Sequence, residues 1–150
     1  MPKLLLVFLL VAAGCTGSTE PTDPATALAL SRARWFNSGI TDYQFTIARV
    51  CECTPESTGP VVVEVRGGVV EERTYVSGST VDPQYADVFT SVPGLFDLID
   101  EAIRRDVAGL GVRYNSEFGY PESIQIDWLA GAVDDEVSYR ITDFALTSQH

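Results

Sequence analysis

Histidine and lysine are almost missing from this 150-residue chain, which has one of each, His150 and Lys3. His150 falls in a stretch, Thr147 to His150, that is expected to fray, and frayed backbone cannot hold a general base in place. That excludes Ser-His and Cys-His nucleophilic machinery. Lys3 lies inside an expected leader, so Schiff-base and Ser-Lys mechanisms go with it. With one methionine, Met1, and three cysteines, neither a zinc site of the usual His/Cys count nor a Cu(I) site rich in soft ligands can be built. No glycine loop has phosphate-cradling spacing. No cofactor is expected, and an enzymatic function is disfavoured.

What is present starts with an address. Met1-Pro2-Lys3 is a short cationic start, Leu4 to Ala13 an apolar run, and Ala13-Gly14-Cys15 a small-residue processing point. The order is that of an export signal over residues 1–14. Ten apolar residues fall short of the ~20 that span a bilayer as a helix. Val11-Ala12-Ala13-Gly14-Cys15 resembles the lipobox of bacterial lipoproteins, in which the signal is cut before the cysteine and the thiol takes a diacylglyceryl group. The resemblance implies lipidation at Cys15, attachment to a membrane through that lipid, and a place in the bacterial cell envelope facing the periplasm or exterior. Two or more acyl chains anchor stably where one does not.

Without residues 1–14 the chain carries 9 arginines against 21 acids, a net charge of −12. Nucleic acid and anionic lipid would repel it, so no nucleic-acid partner is expected. Its 136 remaining residues suit one domain. Residues 15–23, small, polar and proline-bearing, read as the lipidated cysteine and a flexible stalk. A single α+β domain is expected over 24–146, with 147–150 as a frayed tail.

Asp23-Pro24 opens a helix that Asn37-Ser38-Gly39 closes. It should dock through Leu28, Leu30, Trp35 and Phe36. Tyr43, Phe45 and Ile47 alternate with polar residues in a strand. Residues 54–60 form a loop and Val61–Arg66 a strand. Gly67-Gly68 is a hairpin turn that sets Val65 beside Val70 and Glu64 opposite Glu71, with Arg66 and Arg73 on the diagonals. Ser91 caps a second helix with Phe96, Ile99 and Ile103 on its buried stripe, ended by Gly109. Strands are expected over 112–118, about 124–128, and from Val137, with a bulge near Thr142-Asp143. The predicted fold is an antiparallel sheet of about six strands with two helices packed on one face. Its order repeats as two α-β-β-β halves, the pattern an internal duplication would leave.

Cys51-Glu52-Cys53 is the most specific local feature. In an exported chain a disulfide is favoured, although residues two apart on a strand lie near the upper limit of Cα separation, so the backbone must curl. Reduced core thiols and half of a redox or metal site are the alternatives. Asp127, Asp134, Asp135 and Glu136 flank one turn and could offer oxygens to calcium or act as a glycosidase carboxylate pair. Acidic turns are more often simply solvated. Trp35, Tyr120 and the other large aromatics could line a groove, or serve as core.

Trp35, Asp42-Tyr43, Cys51-Glu52-Cys53, Val63/Val65, Phe96, Tyr114, Gly119-Tyr120-Pro121, Ile124-Gln125-Ile126-Asp127 and Asp135-Glu136 form one pattern over roughly residues 30 to 146. It resembles an uncharacterised family of bacterial lipoprotein domains, domain of unknown function 6174. The resemblance implies an envelope protein and carries over no activity. The architecture is also similar to small PepSY-like periplasmic modules, which are thought to bind or inhibit partners rather than catalyse. The expected function is a lipid-anchored, non-catalytic module that binds a protein or envelope ligand through its sheet face or the 51–60 loop. The alternatives are a carboxylate-dependent enzyme on an envelope glycan and a redox or metal site at Cys51 and Cys53.

Overall fold

Asp23 starts the first helix in a computed structural model that describes residues 23–132 and 134–147. Its carboxylate accepts from Thr26 N (2.8 Å), and Gly39, left-handed at φ 68°, closes α1 (Pro24–Ser38). Three strands follow: β1 (Tyr43–Val50), β2 (Val61–Arg66) and β3 (Val69–Tyr75). After α2 (Val92–Arg104) come β4 (Gly109–Tyr114), β5 (Pro121–Asp127) and β6 (Glu136–Leu146). All six strands form one antiparallel sheet in the order β3-β2-β1-β6-β5-β4. The leader, Cys15 and the stalk before Asp23 lie outside the described residues, as do 148–150. Thr147, expected to fray, donates its N–H to Asp42 O (3.1 Å). Among the described residues no helix is long and apolar enough to cross a membrane.

The core lies between the helices and one face of the sheet. Tyr43, Phe45 and Ile47 meet Val61, Val63 and Val65 on β2, and Ile124, Ile126, Val137, Tyr139 and Ile141 extend the layer. Tyr43 touches both helices: its ring meets Trp35 of α1 edge-on at 5.1 Å, and its hydroxyl accepts from Val92 N of α2 (3.2 Å). Both helices therefore cover the same face. No described helix covers the other face, called the open face below.

The α-β-β-β order does occur twice, but it is not a repeat of arrangement. β1 is central, whereas its counterpart β4 is an edge strand running the opposite way. A rotation that superposed one three-strand meander on the other would reverse the strands and carry one helix to the opposite face. Both helices share a face, so the halves are not a symmetric pair.

Four local expectations are corrected. Leu30 (55 % exposed) and Phe36 (60 %) do not dock; Leu28, Ser31 and Trp35 do. Ser31 is enclosed because the 118–120 turn presses on α1 there, so closely that a Cβ on Gly119 would lie 2.4 Å from Ser31 O. Glu64 faces Glu72, since Glu71 is the extra residue of a bulge between the Val65–Val70 and Glu64–Glu72 pairs. Arg66 reaches Glu64 (3.8 Å), whereas Arg73 turns to the core side and donates to Phe89 O (2.7 Å). Finally, α2 stops before Gly109, with Asp106 left-handed (φ 50°), and Gly109 begins β4. β4 ends at Tyr114 because Asn115 Oδ1 accepts from Glu117 N (3.1 Å) and Phe118 N (2.8 Å), folding the next residues into a turn. The bulge near Thr142-Asp143 is present: Gln44 pairs with Ala145 and Thr46 with Thr142, and Asp143 is left-handed.

Tyr43→Phe keeps the ring and leaves the first N–H of α2 without its partner, so urea unfolding should show a loss of about 1–3 kcal/mol. Burial also pushes the Tyr43 and Tyr114 hydroxyls up to about 12. Groups raised in the folded state give stability that is whole below the unfolded value of about 10 and is lost as pH climbs through the folded one. Melting temperature should therefore fall between pH 10 and 12, and fall less in Tyr43→Phe; an identical alkaline drop in both proteins would contradict this.

Candidate functional site

The chain leaves β1 into a loop built around the cysteine pair. Cys53 N–H donates to Cys51 O (2.9 Å), a three-residue turn that curls the backbone and draws the Cα atoms to 5.4 Å. Cys51 and Cys53 lie at disulfide distance. Extended residues two apart would sit at ~6.6 Å or more, so this local curl is what makes the bridge possible. The loop beyond it is pinned. Ser57 Oγ donates to Thr54 O (2.9 Å), Tyr75 Oη to Glu56 O (2.5 Å), and Arg49 N to Thr58 O (2.7 Å).

Just before the loop, the Arg49 guanidinium lies 5.8 Å from the centre of the Tyr139 ring, and its Nε is enclosed with no hydrogen-bond partner among the described residues. Burial raises the Tyr139 hydroxyl above its ordinary pKa, and Arg49 pulls it the other way. The two-residue parity that begins at Tyr43 already carries Arg49 onto the face of Tyr43, Phe45 and Ile47, where it pairs with Tyr139.

The aromatic candidates are not brought to a surface. Trp35 is 2 % exposed and Tyr120 9 %. Both belong to a cluster with Tyr43 and Phe144, in which Tyr120 stacks on Phe144 at 4.4 Å and Trp35 meets Phe144 edge-on at 5.9 Å. These rings hold the fold and offer a ligand little area.

The acidic candidates fall into three situations. Asp127 and Glu136 are paired across β5 and β6 at one end of the sheet's open face. Asp134 is exposed in the preceding turn with φ 69°. Asp135 is half-buried, and both its carboxylate oxygens are enclosed and hydrogen-bonded to none of the described residues. Among the described residues no three His, Cys, Asp or Glu side chains are grouped closely enough to hold a metal ion.

Asp127 and Glu136 border a feature that the sequence reading passed over. Gly109 and Gly111 pair with Asp127 and Gln125, and Ser138 pairs with Gln125 from the other side. Two residues apart on one strand, the glycines share a face, and it is the open one, opposite buried Ile124 and Ile126. With no side chains there, β4 and β5 leave a shallow depression of about 380 Å³ walled by Gln125, Asp127, Glu136 and Ser138. The available signal was Gly-x-Gly in strand parity, masked by reading Gly109 as a helix stop.

An α+β domain with a six-strand antiparallel sheet, one face of it uncovered by any described element, and a cysteine pair at disulfide distance in its loop is the class these observations define. The chain belongs to the family of unknown function DUF6174, whose model matches residues 27–146. No curated protein and no solved structure matches it.

Alkylation of the unreduced protein should leave Cys51 and Cys53 unlabelled in an intact-mass measurement, and labelling of both before reduction would contradict the bridge. The ring closed is small, so Cys51→Ala/Cys53→Ala should cost no more than about 2 kcal/mol in chain entropy.

Proposed function

We propose that this is a lipid-anchored protein of the bacterial cell envelope whose folded domain is a non-catalytic binding module. The observation that carries the reading is the run Leu4–Ala13 followed by Ala13-Gly14-Cys15, joined by a short polar stalk to a domain that starts at the Asp23 cap. Diacylation of Cys15 would hold the domain within a stalk's length of the membrane, since eight residues reach at most ~28 Å. The acidic surface keeps the domain off anionic lipid, so lipid is the sole attachment and the protein surface stays free for a partner. The likeness to PepSY-like modules points the same way, toward binding rather than turnover.

The open sheet face and the pinned 51–60 loop are the two surfaces available to that partner. A fixed loop loses little conformational freedom on binding, which favours recognition.

A second reading has one observation behind it. Asp127 and Glu136 face one another beside the depression on the open face, and a carboxylate-dependent enzyme acting on an envelope glycan would use such a pair. The depression is shallow and does not exclude water, which weakens the electrostatics such chemistry needs. Purified protein should release no product from peptidoglycan fragments above the buffer rate. A measurable rate that Asp127→Asn or Glu136→Gln abolishes would install the enzyme in place of the binding module.

The Cys15→Ser form, expressed in bacteria, should leave the membrane fraction and lose the mass of its acyl chains. Retention of the variant in the same fraction with unchanged lipid content would overturn the anchored reading.

A further inference from the structure

The two edges of the sheet are unlike. At one end β3 is shut: Tyr75 N–H donates to Ser79 O (2.8 Å), Val81 N–H to Arg73 O (3.0 Å), and Thr74 bridges Thr80. The Glu71 bulge distorts what is left of that edge. These are the devices by which proteins block strand addition. At the other end no described residue folds back on β4, Gly-Leu-Gly-Val-Arg-Tyr, and its pairing is regular as far as Arg113. Among the described residues no backbone group of 109–114 bonds outside the β4–β5 ladder. β4 contains no proline and no bulge before Arg113, and Arg113 is tied back to Glu122 (2.9 Å).

Both faces beside this edge are hollow. On the open side lies the depression floored by Gly109 and Gly111. On the helix side Leu110, Val112 and Tyr114 are only half-buried, and with Pro24, Ala27 and Ile99 they line a second depression of about 270 Å³. An added strand sends alternate side chains to the two faces. One set would meet the side chains of Leu110, Val112 and Tyr114, the other an acidic hollow walled by Asp127 and Glu136. Net charge −11 opposes a second copy of this chain and favours a cationic occupant.

We propose that β4 is a docking edge that takes an extended segment of a partner protein as a seventh strand, its apolar side chains on Leu110, Val112 and Tyr114 and its cationic ones on Asp127 and Glu136. Main-chain bonds supply the pairing and the two hollows the selectivity. This deepens the binding-module reading and rests on it.

The test uses the full chain in detergent micelles and a fluorescent, end-capped peptide, Lys-Val-Lys-Val-Lys-Val-Lys-Val. Saturable binding is expected, at least tenfold weaker for the Glu-Val counterpart. Two N-methylated forms, one blocked at every valine amide and one at every lysine amide, should differ at least tenfold, because only one edge of the peptide faces β4. Gly111→Lys should weaken binding at least tenfold, and in the unaltered protein the peptide should slow hydrogen exchange within 109–114. No binding, equal affinity of the two N-methylated forms, or protection elsewhere would overturn the proposal. So would a dimer that protects 109–114 without peptide. If other envelope proteins are captured while these peptides are ignored, the edge assignment fails and the binding-module reading stands; a Cys15 found without lipid would overturn the anchoring and leave the binding assignment standing.

Discussion

The pairing of β1 with β6 is the constraint on which the rest of the molecule depends. It joins the first strand of the chain to the last, with Tyr43 opposite Leu146 and Val50 opposite Ser138, and so closes two meanders into one sheet. Contacts this distant in sequence carry the largest loop-closure cost, and what offsets it sits directly above the seam. Trp35, Tyr43, Tyr120 and Phe144 come from α1, β1, the 118–120 turn and β6, and pack ring against ring. The bulge at Asp143 turns Phe144 into this cluster, and the absence of a side chain at Gly119 lets the turn approach α1.

From that seam the sheet spreads unequally. The helices cover one face, fixed through Trp35 and through the bond from Val92 N to Tyr43. The first meander runs out to an edge that residues 79–81 fold back upon. The second ends in a glycine-bearing strand whose outer edge no described residue pairs with. A domain of this shape has a packed centre and, among its described residues, one margin left open for pairing.

Much of this was legible in the residues. Two-residue alternation in Tyr43-Phe45-Ile47 and Ile124-Ile126 fixed which faces turn inward, and Asp23, Gly39 and Ser91 marked helix ends through caps whose bonds are present. The parity change before Phe144 gave the bulge. What could not be read locally depends on tertiary approach. Leu30 and Phe36 look like docking residues until the position of the 118–120 turn rotates α1 toward Ser31. Gly109 looks like a helix stop because Asp106, a residue seldom left-handed, does that work three positions earlier. The repeated α-β-β-β order is plain in the chain, but which strand of each half lies at the centre is set by the β1–β6 seam and not by any local pattern. The candidate site suffered most: aromatics were conspicuous and proved to be core, whereas the two glycines that open the edge have no side chains to notice.

Residue-resolved native-state hydrogen exchange tests the central claim directly. If the seam holds the halves together, the β1 and β6 amides bonded to each other will be the slowest in the protein, exchanging only by global unfolding. Seam amides that exchange faster than those of the β2–β3 or β4–β5 pairs would mean two separately stable meanders, and would contradict this account.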